Sequence, residues 1–203
     1  MKLAIIGASG NVGTRIGTEA FNRGHSVTAI VRDPSKVPSK TNLSVVAGDA
    51  NTAGDLAPKL AGHDAVISTV GFRTSDPDLL IDAVRASGVK RYLVVGGAGS
   101  LYAEPGKLHI DTPHFPDFAR EEASRGKVFL DKLKGAPDLD WTMLSPSALF
   151  TAGERTGKFR LGQDRLLTSA EGKSWISYED YAIALLNEVE TPKNIRRRFT
   201  VGY

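Results

Sequence analysis

Gly7, Gly10 and Gly13 stand at three-residue spacing in GASGNVG, behind a short apolar run and ahead of a stretch with helical periodicity. That arrangement suits the binding of a phosphate. A glycine at the first position lets the chain turn tightly off a strand. One at the second lets backbone approach a diphosphate, and one at the third lets the next helix lie close against the sheet. The start of such a helix offers unpaired N–H groups and the positive end of its dipole. Gly7, Ser9, Gly10, Asn11, Val12 and Gly13 are therefore the candidate diphosphate contacts, although Ser9 and Asn11 also read simply as turn formers. The spacing G-x-x-G-x-x-G departs from the G-x-G-x-x-G of the standard dinucleotide fingerprint, but its place between strand and helix is the one the chemistry requires.

At the end of the next apolar run the sequence reads AIVRDPSK. A carboxylate there would hold the ribose hydroxyls of NAD, whereas an arginine accommodates the 2′-phosphate of NADP. Arg32 comes first past the strand and Asp33 second, which favours NADP(H) over NAD(H), with Lys36 close enough to help. The alternative is that Arg32 is a surface charge and that Asp33 caps the turn before Pro34.

His109, Asp111 and His114 lie in a His-x-Asp-x-x-His pattern. Three such groups on a proline-containing loop are a poor metal signature, so Asp111 and Thr112 read as loop-shaping hydrogen-bond formers and no metal is expected. His25 and His63 precede expected strands and read as turn residues.

These residues need elements to hold them. KLAII at 2–6 is a continuous apolar run bounded by glycine, suited to a strand covered on both faces. A helix follows and stops at Gly24, then a strand in HSVTAIV. The alternation recurs as LSVVAG at 43–48, a short helix near 52–61, DAVISTV at 64–70, a helix near 77–87 and RYLVVG at 91–96. Strands alternating with helices mean βαβ units with right-handed crossovers. The expected fold class is α/β, a doubly wound parallel sheet of the Rossmann type with helices on both faces.

Residues 97–117 lack clear periodicity and read as one long functional loop. A helix is expected over 117–134, a strand over 140–147, a hairpin pairing 158–160 with 165–168 across LGQD, and a helix over 177–190 with Ser177 as its N-cap. FTVGY supplies a last strand. The whole, 1–203, reads as a single domain: a cofactor half at 1–96, and at 97–203 a substrate side with a small C-terminal extension.

With KLAIIGASGNVG, VRDPSK, AGD at 47–49, STVG at 68–71 and RYLVVGGAGSLY at 91–102 in place, the chain resembles the atypical short-chain dehydrogenase/reductase group, and within it the NADH-flavin reductases related to biliverdin-IXβ reductase. The likeness extends to DTPHFPDF and WTMLSPSALF. It implies that Asp49, with Ala50 beside it, meets the adenine. It also implies that Thr69, Val70 and Gly71 line the path from ribose to nicotinamide, and that Ser145, Pro146 and Ser147 offer backbone to the carboxamide. As physics alone, Asp49 could equally cap the following helix, Gly71 turn the chain and Pro146 end a strand.

One departure bears on the reaction. Short-chain dehydrogenases carry a serine with Tyr-x-x-x-Lys, in which lysine lowers the tyrosine pKa for proton exchange with a carbonyl or alcohol. Here Ser100 and Tyr102 occupy the expected region, but Gly106 stands four residues after Tyr102 and Lys107 comes one place late behind Pro105 and Gly106. Carbonyl chemistry is therefore disfavoured, while reduction of a flavin or another small planar acceptor needs alignment more than acid-base work. Phe72, Leu101, Tyr102, Phe115 and Phe150 are the candidate acceptor-facing surfaces, and Ser100 or Tyr102 the candidate catalytic hydrogen-bond donors. A non-catalytic NADP(H) sensor fits the missing dyad equally well, and a nucleotide-sugar epimerase or dehydratase less well.

Composition sets the outer bounds. The chain has 203 residues, 41% of them hydrophobic, a formal net charge of +3 and no cysteine, so disulfides and thiolate chemistry are excluded. Its basic run KNIRRR lacks interleaved aromatics and reads as a solvated turn rather than a nucleic-acid site. The apolar stretch at the start is too short for a signal or a membrane span, so a cytoplasmic protein without membrane or nucleic-acid partners is expected; oligomeric state is left open.

Overall fold

The computed structural model describes residues 1–37, 43–52 and 54–203. In β1 (Lys2–Ile6), Leu3 and Ile5 point to one face of the sheet and Ala4 and Ile6 to the other, all buried, so both faces must be covered. The remaining elements of the first half are α1 (Asn11–Asn22), β2 (Ser26–Val31), β3 (Leu43–Ala47), α2 (Ala57–Leu60), β4 (Ala65–Ser68), α3 (Pro77–Ser87) and β5 (Arg91–Val95). In the second half come β6 (Tyr102–Glu104), β7 (Lys107–Leu108), α4 (Asp117–Lys134), β8 (Asp140–Pro146), β9 (Leu149–Thr151), β10 (Arg160–Gly162), β11 (Trp175–Ser177), α5 (Tyr178–Glu190) and β12 (Arg197–Gly202).

The main sheet runs β3-β2-β1-β4-β5-β8-β12-β10 and is parallel except for β10, which pairs antiparallel with β12. This is the doubly wound Rossmann order, and the chain reverses direction across the sheet between β1 and β4, where a crevice must open. Helices α1 and α5 pack on one face through Ile16, Ala20, Tyr181, Leu185 and Leu186. On the other face α3 and α4 supply Leu80, Val84, Phe129, Leu130 and Leu133 against Ala4, Val66, Tyr92 and Trp141. Each such fully buried Leu or Ile is worth about 1.5–3 kcal/mol relative to exposure.

Helix α5 carries the cap expected at Ser177, and α3 has one at Asp76. The Asp76 carboxylate accepts from the Asp78 amide at 2.8 Å with Pro77 at the first position of α3, and Ser177 Oγ accepts from the Asp180 amide at 3.0 Å at the start of α5. His25 and His63 sit in the turns before β2 and β4, and His63 bridges the Leu60 carbonyl and Thr28 Oγ1.

Four expectations need correction. The helix near 52–61, of which residue 53 lies outside the described residues, is confined to Ala57–Leu60, because Gly54 takes φ +79° and the preceding residues form hydrogen-bonded turns. The hairpin across LGQD does not form: β10 pairs with Thr200–Gly202 instead, and Arg165 bridges to Tyr102. Residues 97–117 are not one irregular loop, since β6 and β7 pair across a turn at Gly106, φ +75°. The basic run is not all solvated: the Arg198 side chain is 7% exposed, its Nε donating to Asp164 at 2.8 Å.

Candidate functional site

A cleft opens over the C-terminal ends of β1, β2, β3 and β4, at the point where the strand order reverses. Gly7 takes φ +82°, and a Cβ there would lie 2.8 Å from Thr69 Oγ1, so only glycine fits without strain. Thr69 Oγ1 lies 2.9 Å from the carbonyl oxygens of both Ile6 and Gly7 and clamps the turn from the neighbouring strand. A Cβ on Gly13 would drive into the Gly7 carbonyl and lie 2.9 Å from Ala8 Cα, which is why α1 can start so close to the turn.

Helix α1 begins at Gly10 with no side-chain cap and no acidic residue in its first turn. The amides of Asn11, Val12 and Gly13 precede the first residue able to bond back within the helix, so they are free for an anion. The Val12 side chain packs into the core and Gly13 is buried, so these two can offer backbone only. Gly7, Ser9 and Gly10 line the cleft directly.

At the far end of the cleft Arg32 is exposed, lines the wall, and has no hydrogen-bond or ion-pair partner among the described residues. Asp33 serves its own turn instead. Its Oδ1 accepts from the Ser35 amide at 3.1 Å and from the Ser35 hydroxyl at 2.6 Å, which holds its carboxyl below the usual range. Lys36 approaches Asp33 at 3.8 Å rather than the cleft. Asp49, Ala50, Thr69, Val70 and Gly71 all line the same cleft. Asp49 lines the wall, and its Oδ1 caps the turn through the Asn51 amide at 2.9 Å.

Beyond Gly71 a second, larger and more apolar cavity of about 1310 Å3, open to solvent, lies over the ends of β5 and β8, against about 720 Å3 for the cleft. Phe72 and Phe115 belong to its wall, with Phe118, Leu149 and Leu166. Phe72 follows Gly71 of the cleft wall directly in the chain, and its seat depends on α4: a Cβ on Gly126 would lie 2.8 Å from the ring. Glu122 of α4 also pins this corner, its two oxygens accepting from the amides of Phe72 at 2.7 Å and Arg73 at 2.9 Å.

Other expected residues fall away from both spaces. Leu101 is fully buried in the core, and Tyr102 is 41% exposed outside the cavity wall. The Ser100 hydroxyl is buried and engaged by Arg198 Nη1 at 3.0 Å, a partner 98 residues away. Phe150 packs against Tyr178 and Tyr181 at ring distances of 4.7 and 4.6 Å. Pro146 is buried at the end of β8, paired with Val201, while Ser147 Oγ donates to the Val201 carbonyl and Ser145 Oγ has no partner among the described residues. Among the described residues no three His, Cys, Asp or Glu side chains are grouped to hold a metal.

Sequence reasoning misses Asn51, Thr74, Glu122, Phe118 and His109 as site residues, yet all line one space or the other. Only Asn51 carries a local signal, standing two residues after Asp49 in GDAN; its Nδ2 donates to the Thr74 carbonyl at 2.7 Å across the cleft.

The cleft thus presents what a dinucleotide needs: a cradle closed to any Cβ, free helix-start amides and an unpaired cation at the far end. A model described as NAD(P)H-binding matches residues 7–192. The chain belongs to the NAD(P)H-binding family. An uncharacterized Bacillus subtilis protein, YwnB, is 43% identical over 99% of this chain and 98% of its own length. Among solved structures, a Bacteroides thetaiotaomicron protein named as an epimerase superimposes with a TM-score of 0.95 at 38% identity, covering 100% of this chain and 96% of that one. A Streptococcus pneumoniae protein named as an NADH-flavin reductase gives 0.86 at 37% identity, covering 100% and 99%. Both of those names are provisional. This NAD(P)H-binding chain accordingly stands among Rossmann-type oxidoreductases, in the atypical short-chain dehydrogenase/reductase group that its motifs resemble. None of its helices, among the described residues, is long and apolar enough to cross a membrane.

Proposed function

We propose that the protein is an NADPH-dependent reductase of a free flavin or a similar flat, conjugated acceptor. The observation that carries this reading is the apolar cavity walled by Phe72 and Phe115, in which Phe72 directly follows Gly71 of the cleft wall, while Tyr102 and Ser100 are not part of the cavity wall. A bound reduced nicotinamide supplies hydride, two electrons and one hydrogen, to whatever faces its ring. The chain's own part is to hold and orient. The Gly7–Gly13 turn and the α1 amides take the diphosphate, Arg32 the 2′-phosphate, and Asp49 with Ala50 the adenine. Val70 and Gly71 lead the coenzyme toward the cavity. There the aromatic walls stack the acceptor in a reactive pose, so that proximity supplies the larger part of the rate.

Adding riboflavin, FMN or menadione to the protein with NADPH should accelerate loss of NADPH absorbance in a saturable way. No stimulation by any planar acceptor, in a protein shown to bind NADPH, overturns the reading.

A further inference from the structure

Hydride transfer to a planar acceptor leaves one negative charge on it, because two electrons and one hydrogen arrive together and a solvent proton follows later. Something in the wall must meet that charge. Among the described residues lining the acceptor cavity there is no lysine or arginine, and its carboxylate, Glu122, is negative and already bound by the Phe72 and Arg73 amides. His114 lines the cavity from an exposed position, while Ser174, whose Oγ accepts from the Ala148 amide at 3.1 Å and keeps its own proton, and Thr168 each offer a single hydroxyl.

His109 differs from all of these. It is half-buried in the wall, and its ring nitrogens have no hydrogen-bond partner among the described residues. Its backbone is fixed on both sides, the amide donating to the Leu101 carbonyl at 2.7 Å and the carbonyl accepting from Thr112 Oγ1 at 2.7 Å. Its ring stands edge-to-face on Phe115 with centroids 5.0 Å apart, so the imidazole is held at the cavity rather than swinging into solvent.

Resting on the reductase reading, we infer that His109 is the residue that touches the acceptor, donating a ring N–H to the carbonyl or ring nitrogen on which negative charge gathers as hydride arrives. Burial pushes the His109 pKa below its ordinary 6.5, so the ring meets the acceptor uncharged, one nitrogen carrying the proton. A preplaced donor of this kind strengthens as charge develops, which makes it a contribution to turnover more than to ground-state binding.

The test compares His109→Phe, which keeps an aromatic ring against Phe115 but removes the donor, with His109→Gln, which restores an N–H, using riboflavin as acceptor. The expected result is a fall in kcat of about 100-fold in His109→Phe, recovered in part by His109→Gln, with the KM for NADPH unchanged in both. Tyr102→Phe should turn over like the parent protein. A kcat within about threefold of the parent in His109→Phe overturns the inference while leaving the reductase reading intact. Should the variants not fold, the unmodified protein answers: with 15N-labelled histidine, the His109 ring resonance should move on adding riboflavin and NADP+ while those of His25 and His63 stay put, and a stationary His109 resonance overturns the inference. A parent protein that reduces no planar acceptor overturns both readings together.

Discussion

Thr69 on β4 and Gly7 at the end of β1 are locked together: the threonine hydroxyl sits 2.9 Å from the Gly7 carbonyl, and any Cβ on Gly7 would meet that same oxygen at 2.8 Å. The glycine turn is thus shaped from a neighbouring strand, which ties its conformation to the sheet. Gly13 completes the joint by leaving room for the Gly7 carbonyl. Gly13→Ala has nowhere to put its methyl, so it should cost about 2 kcal/mol or more of stability and weaken NADPH binding at least about tenfold. Gly17→Ala, one turn on, meets only Ile5 Cδ1 at 3.9 Å and should be neutral or stabilising by up to about 1 kcal/mol through helix propensity. Thermal unfolding and NADPH titration of the two variants check the contrast.

Arg32 lines the cleft without a partner among the described residues, while Asp33 is spent on Ser35. Arg32→Ala should therefore raise the Kd for NADPH by about tenfold, about 1.4 kcal/mol, and leave that for NADH nearly unchanged. Equal losses for both coenzymes would show that Arg32 reads the adenine ring rather than the 2′-phosphate.

Legibility in the sequence follows the range of the forces involved. Helix α4 is readable to its ends because eighteen residues of amphipathic pattern carry their own signal, and Ser177 because a cap acts over three residues. Failures come where the deciding partner is distant. Arg160–Gly162 pairs with a strand about forty residues on, and the Ser100 hydroxyl meets Arg198 only in the fold. The glycine turn is legible because its chemistry is local. The apolar cavity is half legible: Phe72 and Phe115 stand out in the sequence, but Phe118 of α4, Leu149 of β9 and His109 just after β7 reach it from separate elements, and Leu101 and Phe150 turn inward to the core.

Arg91 and Glu188 form a buried ion pair at 2.9 Å that joins β5 to α5, and Glu188 also accepts from the amides of Lys193 and Asn194. Burial lowers the Arg91 pKa, and Glu188 acts against that shift. Glu188→Ala strands a charged guanidinium in the interior and should cost about 3–5 kcal/mol in denaturant unfolding, with NADPH affinity unchanged because the pair is remote from the cleft.

Glu19 on α1 is held below its ordinary 4.5, first by the hydrogen bond from Arg155 and then by Arg23. A carboxylate depressed in the folded state stabilises the protein above its unfolded pKa, and that contribution drains away as pH falls through the folded value. Stability should therefore decline as pH drops below about 4.5, and Glu19→Gln should be less stable at neutral pH but show a shallower decline. Parallel declines in the two proteins would remove Glu19 from the acid response.

The central claim is that the amides at the start of α1 and the Gly7 turn grip the diphosphate of a reduced nicotinamide coenzyme. Calorimetric titration of the protein with NADPH tests it most directly. The expected result is a saturable one-to-one isotherm with a Kd in the micromolar range, about −8 kcal/mol, abolished or strongly weakened in Gly13→Ala. A flat isotherm up to millimolar NADPH and NADH would contradict it.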